Sequence, residues 1–246
     1  MSERNNWMVA GLDRGAAAME VAPLDKPVLR RDEWQVRYAD HLDHEGLLRK
    51  YAGNSTVDPD QIQHVDFVVG QEGLLAAVGD ARFHSVIASH VIEHVPDPIR
   101  WLHEIHDLCA DGGKAVFAVP DRLRCFDSLR RPSVASDWLG AWLARAWRPS
   151  PGNVIDALLN ECSWKGQFTW AGDPEISELK HNRQPALALQ QSIEAVRSQE
   201  YFDVHCTLVR PPELFAIFHV PAVLDLFPFE FDDFPDTEGN VFLIRL

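Results

Sequence analysis

Apolar and polar residues follow a strand–helix–strand pattern between residues 83 and 121. The apolar segment 85–88 is short and uninterrupted, which is typical of a strand buried on both faces. From Ile99 the apolar residues fall at helical spacing, at Trp101, Leu102, Ile105 and Leu108. The Asp-Gly-Gly turn at 111–113 is expected to end this helix, and a second apolar strand follows at 115–119. The order predicts a parallel βαβ unit with a right-handed crossover.

Three more strands are predicted upstream of this unit. Residues 16–22 form a weak strand pattern that prolines then interrupt, whereas residues 34–40 alternate between apolar and polar side chains. A short third strand is expected at 65–69. The helices expected between these strands cover residues 41–51 and 72–78. Residues 1–15 are polar and predict a loose lead-in or a short helix.

The pattern changes after Asp121. Residues 122–201 contain five of the eight tryptophans and several helical stretches broken by prolines. The last of these helices, at about 185–201, carries the apolar residues Leu187, Leu189, Ile193 and Val196. A helix from Pro211, a strand at 222–231, an acidic loop at 232–239 and a last strand at 240–246 follow. The two final strands are close in sequence and predict an antiparallel hairpin at the sheet edge.

Composition and charge narrow the classes of function. With 23 Lys and Arg against 37 Asp and Glu, the net charge is −14, which disfavours a nucleic-acid partner. No apolar run approaches the roughly 20 residues that cross a bilayer, and the N-terminus lacks a signal-peptide pattern. The four cysteines are scattered and favour buried, reduced thiols over disulfides. These features predict a cytoplasmic protein without a membrane partner.

The motifs of the central unit resemble those of a known family. Residues 93–98 read Glu-His-Val-Pro-Asp-Pro, Gly112-Gly113 follow the helix, and residues 119–121 read Val-Pro-Asp. In this order they resemble class I S-adenosylmethionine-dependent methyltransferases, in particular the methyltransferase-11-like subgroup. The resemblance implies an α/β fold, with a Rossmann-like, seven-stranded mixed sheet whose last strand is antiparallel. It also implies a core of residues 1–121 and 202–246, with a helical insertion or lid at 122–201 between strands five and six.

The resemblance places the methionine portion of the cofactor next to the first strand. In the family this strand ends in an acidic residue followed by a glycine-rich turn. Here the acidic residue is Glu20, and the turn at 22–27 begins with Ala22 and Pro23 and has no glycine. Glycine in such a turn permits positive φ and close approach of the backbone to a ligand. We expect Ala22 to be tolerated if its φ is negative.

Other cofactor-binding residues are implied at the ends of the second, third and fourth strands. Asp40, followed by His41, is expected to bind the ribose hydroxyls, because one carboxylate can accept both hydrogen bonds. Asp66 is the candidate for the adenine amino group. Ser89 and His90 follow the fourth strand, at the edge where open α/β sheets bind ligands. The implied cofactor is S-adenosylmethionine, with S-adenosylhomocysteine as product.

Three histidines are the candidate catalytic residues. His90 and His94 lie beyond the fourth strand, and His205 lies between the insertion and the helix at Pro211. An imidazole can deprotonate a hydroxyl or amine nucleophile, since its ordinary pKa is about 6.5. His90 and His94 also have the spacing of a helical metal pair, but no Cys or His at a matching spacing completes a site. No metal is therefore expected.

The function expected from these observations is transfer of a methyl group to a small-molecule acceptor, such as a natural product or a sugar. Two alternatives remain open. The first is a protein that binds the cofactor but catalyses a cyclisation or rearrangement, and the second is an inactive partner subunit. The tryptophans of the insertion suit either a lid over the acceptor or the contact of a homodimer.

Overall fold

A computed structural model describes residues 2–230 and 241–246. The strands are β1 Ala18–Val21, β2 Val36–Asp40, β3 Phe67–Val68, β4 Phe83–Ser89, β5 Cys109–Pro120, β6 Cys162–Ser163, β7 Lys180–His181 and β8 Val241–Arg245. The helices are α1 Glu3–Val9, α2 His44–Lys50, α3 Leu74–Val78, α4 Pro98–Leu108, α5 Ala135–Leu143, α6 Pro151–Asn160, α7 Pro185–Ser198 and α8 Pro211–Val223.

Six strands form one sheet in the order β3-β2-β1-β4-β5-β8. The pairs among β1 to β5 are parallel, and β8 is antiparallel to β5. The α/β fold, the mostly parallel sheet and the antiparallel last strand are confirmed. The carboxyl ends of the parallel strands therefore lie along one edge, which is where such sheets bind ligands.

Helices cover the two faces of this sheet unequally. One large cluster joins the sheet to α3, α4, α5 and α8, with Trp101, Phe117 and Phe218 among its buried residues. The opposite face is covered by α1 and the irregular segment 22–35, through buried residues such as Met8 and Trp34. The crossover from β1 to β2 is thus made by irregular chain, without a helix.

The central βαβ unit forms as predicted, with one correction at its glycines. Asp97 caps α4 by accepting a hydrogen bond from the backbone N–H of Arg100, at 3.0 Å. The helix ends at Leu108, before the two glycines, so they do not cap it. They lie instead in an irregular start of β5, where a Cβ on Gly113 would come within 2.8 Å of the Ala110 carbonyl oxygen.

The C-terminal prediction was wrong in one respect. The described part of the segment 222–231 contains the end of α8 and then irregular chain, but no strand. The last strand β8 pairs with β5 and not with a preceding hairpin strand. The described sheet accordingly has six strands where seven were predicted. The acidic loop predicted at 232–239 lies outside the described residues.

The segment 122–201 is helical, as predicted, but its helices belong to different layers. Helix α5 packs against α4 and α8, so it is part of the layer that covers the sheet. Helix α6 packs against α7, around the buried residues Val154, Leu158 and Ala188. The apolar residues Leu187, Leu189 and Ile193 of α7 are exposed, because Ala188 and Ser192 form the buried face. The segment is thus only partly a separate insertion.

The cysteines are reduced and mostly buried. All four cysteines are free thiols; three are buried and Cys109 is half-buried. Burial raises the pKa of the Cys109 thiol to about 11 and that of Cys206 to about 12. None of the helices in the described ranges is both long enough and apolar enough to cross a membrane.

Candidate active site

The ends of three neighbouring strands meet at one point on the carboxyl edge. The backbone N–H of Ala22 donates to the Ala39 carbonyl at 2.8 Å, and the register pairs Val21 with Ala88. Ala22 therefore lies between Asp40 of β2 and Ser89 of β4. The structure brings together the strand ends that were predicted to converge.

Glu20 holds the irregular segment that follows β1. Its two carboxylate oxygens accept hydrogen bonds from the backbone N–H groups of Val28 and Leu29, both at 2.8 Å. Burial raises the pKa of Glu20 to about 7, although these two hydrogen bonds and the charge of Arg4 act in the opposite direction. Glu20 positions the segment, as a helix-capping carboxylate does elsewhere, by satisfying backbone donors inside the protein.

The turn after β1 adopts glycine-like backbone conformations without a glycine. Ala22 has φ +51° and Leu24 has φ +47°. The condition under which Ala22 was expected to be tolerated, a negative φ, is therefore not met. Pro23 between them is buried, and Leu24 packs against Leu47 and its neighbours around α2. A left-handed conformation costs a non-glycine residue about 1–2 kcal/mol, so the surrounding packing must hold the turn in this shape.

Asp40 is buried at the end of β2 and is bonded to the residue that follows it. Its Oδ1 lies 2.7 Å from the backbone nitrogen of His41 and 2.6 Å from His41 Nδ1. His41 Nε2 in turn lies 3.0 Å from Lys50 Nζ, and Lys50 forms an ion pair with Asp203 at 3.1 Å. A polar chain therefore links the end of β2 to the segment 201–207.

Asp66 does not lie at the carboxyl edge, where an adenine contact was expected. It precedes β3, at the level of Tyr38, and it accepts a hydrogen bond from the Tyr38 backbone N–H at 2.7 Å. Its carboxylate is also paired with Arg31. The predicted strand at 65–69 forms only over Phe67–Val68, so Asp66, which was expected inside the strand, precedes it. The adenine assignment of Asp66 has no support in this arrangement.

His90 stands directly above the end of β4. It has φ +59°, and its backbone N–H donates to the Ala118 carbonyl at 2.9 Å. His90 Nε2 is 3.3 Å from the guanidinium of Arg4, and Nδ1 is 3.4 Å from Glu93. Burial lowers the pKa of Arg4, against the charge of Glu20. No sequence pattern indicated Arg4, because only the packing of α1 brings it to this edge.

A second polar cluster lies beyond β4. Candidate ligand atoms of Glu93, His94 and His205 all lie within 4.8 Å of one another, and the two imidazole rings are 4.6 Å apart. The segment 201–207 carries His205 to this point, because the Glu93 carbonyl accepts hydrogen bonds from the backbone N–H groups of Cys206 and Thr207. His94 and His205 were both candidates from the sequence, but Glu93 was known only as part of the family motif.

Each histidine of the cluster is bonded to its own carboxylate through Nδ1. His94 pairs with Asp203 at 2.7 Å, and His205 pairs with Asp127. Burial acts against both charges of the first pair, but the hydrogen bond between them raises the pKa of His94 and lowers that of Asp203. Burial likewise opposes the charge of Asp127, yet His205 and Arg130 lower its pKa. The sequence offered no motif for Asp127 or Asp203.

A cleft of about 760 Å³ adjoins the cluster. Its lining includes Val95, Cys206 and Thr207, which are chain neighbours of the cluster residues, together with Trp138 and Trp147 of the segment 122–201. Part of the tryptophan-rich segment therefore forms one wall of a cleft that also includes residues next to His94 and His205. A cleft of this size is in the range that holds a small molecule.

A protein-family model described as a methyltransferase domain matches residues 3–172, which is more than half of the chain. The chain therefore belongs to the methyltransferase domain family. This confirms the resemblance drawn from the motifs at 93–98 and 112–121. The match also includes α1, the glycine-free turn and the first part of the segment 122–201. No curated protein sequence matches the chain.

Solved structures resemble the fold at low sequence identity. A Rhodobacter sphaeroides structure described as a candidate Zn-dependent alcohol dehydrogenase gives a TM-score of 0.52 at 11% identity, over 99% of this chain and 89% of its own. A DhpI–SAH complex gives 0.45 at 14% identity, over 98% and 79%. The glycopeptide N-methyltransferase MtfA gives 0.34 at 15% identity, over 48% of this chain and 52% of its own. The match thus spans about half the length of MtfA. The first of these structures shows the fold alone.

Proposed function

We propose that this methyltransferase-family protein transfers a methyl group from S-adenosylmethionine to a small-molecule acceptor. The observation that carries the proposal is the meeting of Ala22, Asp40 and Ser89 at one point of the carboxyl edge, in a chain that belongs to this family. A single elongated nucleoside can contact all three strand ends when they lie this close together.

The charged residues at this edge suit the polar groups of the cofactor. Asp40 is buried and uses Oδ1 for His41, which leaves Oδ2 as an acceptor for the ribose hydroxyls. Arg4, on the other side of the strand ends and near His90, is the cation that suits the carboxylate of the methionine portion. The turn at 22–27 then lies between these two contacts.

The reaction is an in-line displacement. A lone pair of an acceptor oxygen or nitrogen attacks the methyl carbon, the bond from that carbon to sulfur breaks, and its electron pair returns to sulfur to give S-adenosylhomocysteine. The acceptor loses one proton, and His90 is the base that we assign to it. His90 is half-exposed above β4, whereas His94 and His205 are each held by a carboxylate. Most of the rate enhancement comes from alignment of the two reactants.

The acceptor is a small molecule bound in the cleft next to the cluster. The cleft volume of about 760 Å³ and its tryptophans suit a partly apolar or flat compound. The net charge of −14 is repelled by a nucleic-acid backbone. Chain segments on the two sides of this cleft, α5 and α6, set the shape that an acceptor must fit.

Calorimetry with S-adenosylmethionine and S-adenosylhomocysteine tests the cofactor. Asp40→Ala should weaken binding of both by about 1–3 kcal/mol, because a buried charged hydrogen-bond partner is lost. Asp107→Ala, at an exposed position on α4, is the matched control and should leave binding unchanged.

The outcomes separate the proposal from its alternatives. If the unmodified protein binds neither nucleoside, the enzymatic proposal is wrong and an inactive partner subunit is favoured. If it binds both but gives no methylated product across a panel of hydroxyl and amine compounds, a reaction other than methyl transfer is favoured. Equal binding by the Asp40→Ala variant and its control would reject the ribose assignment alone.

A further inference from the structure

Glu93, His94 and His205 form a three-residue cluster from two distant parts of the chain. Glu93 and His94 belong to the single helical turn Ile92–His94 after β4, and His205 belongs to the segment that follows α7. Glu93 and His205 are buried, and His94 is half-buried, so the cluster is reached from one side only. The mechanism above uses none of these three side chains.

The outer partners of the two histidines fix one nitrogen of each ring. Asp203 binds Nδ1 of His94, and Asp127 binds Nδ1 of His205. In each ring, Nε2 is therefore the nitrogen that is available to bind another ligand. Histidines that bind a metal are commonly held in this way, with a carboxylate on the other nitrogen to set the tautomer and orientation of the ring.

The partner of His205 is itself held firmly. Arg130 donates to Asp127 at 2.7 Å and to the backbone carbonyl of His205 at 3.0 Å, and the side chains of Arg130 and Asp127 are each 1% exposed. Asp156 accepts a further bond from Arg130 at 3.0 Å. This arrangement fixes His205 before any ligand arrives, which lowers the cost of binding one.

The buried carboxylate of Glu93 is the feature that points to a cation at this site. Its side chain is 0% exposed, and neither carboxylate oxygen has a hydrogen-bond partner within residues 2–230 and 241–246. His90 Nδ1 lies 3.4 Å from Oε1, which is an ion-pair distance. A buried carboxylate without a partner is costly, whereas a cation at this point would satisfy both of its oxygens.

We propose that Glu93, His94 and His205 bind one divalent transition-metal ion, with Zn²⁺ as the best match. Two imidazole nitrogens and one carboxylate are the ligands of an open zinc site, which keeps a position for water or substrate. Ligands of tetrahedral zinc lie roughly 3.3 Å apart, given bonds of about 2 Å. The three ligand atoms, now within 4.8 Å of one another, need to close by at most about 1.5 Å.

The cleft of about 760 Å³ begins one residue away from two of the ligands. Val95 follows His94 and Cys206 follows His205, and both line this cleft. An acceptor whose oxygen extends from the cleft towards the histidines could occupy the open coordination position. Metal binding itself does not depend on the cofactor, so it is tested without the nucleoside.

To test this, the full chain is first stripped of metal with a chelator. It is then titrated with Zn²⁺, with binding monitored by calorimetry, and separately with Co²⁺, with binding monitored by its visible absorption. We expect one ion per chain. Glu93→Gln should weaken binding at least 100-fold, and Asp203→Asn, at a half-exposed outer partner, should weaken it about 10–100-fold. His106→Gln is the control, because His106 also lies beside an aspartate but on the exposed face of α4.

Thermal stability gives a second readout. Zn²⁺ should raise the melting temperature of the unmodified chain but not that of the Glu93→Gln variant, because only the unmodified chain binds the ion tightly. The proposal is overturned if Zn²⁺ does not bind saturably, or if Glu93→Gln and His106→Gln bind it equally.

Discussion

The turn after β1 and the cluster after β4 lie on the same edge of one sheet, but they are stabilised in different ways. The two carboxylate oxygens of Glu20 accept hydrogen bonds from backbone N–H groups only eight and nine positions further along the chain. The carboxylate of Asp127 is instead hydrogen-bonded to His205, which is 78 positions away, and to Arg130. One region is thus organised locally, whereas the other exists only once distant segments have packed.

This difference determines what each region is able to do. The turn after β1 carries an alanine and a leucine in left-handed conformations, and these are held by packing of Leu24 against residues around α2. The cluster gathers a carboxylate and two imidazoles that no local motif could hold. An arrangement of several charged groups in contact therefore depends on the long-range region.

The largest effect is expected from Arg130, which holds the long-range region together. Arg130→Ala leaves Asp127 buried with only His205 as a charged partner, and breaking a buried pair in this way costs about 3–5 kcal/mol. Chemical denaturation measures the change in the free energy of unfolding. Arg131→Ala is a matched control one residue away, because its pair with Asp137 is largely exposed and should contribute about 0–1 kcal/mol. Equal losses for the two variants would contradict the buried network.

Glu20→Gln tests the local region and has a smaller effect, a loss of about 1–3 kcal/mol at a pH below 4.5, where Glu20 is protonated. Both oxygens of the protonated carboxyl can accept a backbone hydrogen bond, whereas the amide of glutamine accepts through one oxygen and presents N–H to the other donor. The free energy of unfolding, compared at one pH with that of the parent chain, gives this loss. A variant as stable as the parent at every pH would show that Glu20 does not hold the segment.

The pH dependence of that loss has a definite sign. The pKa of Glu20 is raised to about 7 by burial, so the folded chain binds its proton more tightly than the unfolded chain does. The contribution of this group to stability is therefore full below its ordinary pKa, near 4.5, and is lost as pH rises through about 7. The stability advantage of the parent over Glu20→Gln should accordingly be larger at low pH, by about 3 kcal/mol across this range. An advantage that grows with pH would contradict the burial argument.

The sequence predicted the parts of the fold that repeat a local pattern. The βαβ unit, the parallel sheet and the acidic ends of β1 and β2 all follow from spacing over a few residues. The predicted strand at 222–231 was wrong because α8 continues to Val223, so an apolar segment that also suits a strand extends a helix. Asp66 was expected inside the third strand and precedes it, since the start of a two-residue strand cannot be located from pattern alone.

The candidate site divides in the same way. Asp40, Ser89 and His90 could be proposed because each lies at the end of a strand or directly after it, but Arg4, Asp127 and Asp203 could not. Their places depend on how α1 and the segment 122–207 pack over the sheet edge, and nothing in the nearby sequence encodes that. His205 is a candidate from the sequence, yet its contact with Glu93 and His94 is long-range, and spacing along the chain cannot predict it.

The smallest expected effect concerns Ala22, where the local region departs most from its family. Ala22→Gly removes the cost of a left-handed alanine, about 1–2 kcal/mol, but glycine also loses more chain entropy on folding, about 0.4–1 kcal/mol. The net gain in the free energy of unfolding should be about 0.5–1 kcal/mol. Ala10, with φ −62° at the end of α1, is the control, and Ala10→Gly should lower stability.

A gain in the free energy of unfolding for Ala22→Gly, together with a loss for Ala10→Gly, would show that the turn after β1 retains a backbone conformation that favours glycine. If Ala22→Gly destabilises the chain as much as Ala10→Gly does, the methyl group of Ala22 contributes packing that outweighs its conformational cost. Affinity for S-adenosylmethionine, measured on the same pair, then decides what the shape is for. A tighter complex for Ala22→Gly than for the parent means that the turn contacts the cofactor, whereas unchanged affinity means that it only supports Glu20 and the segment that Glu20 holds.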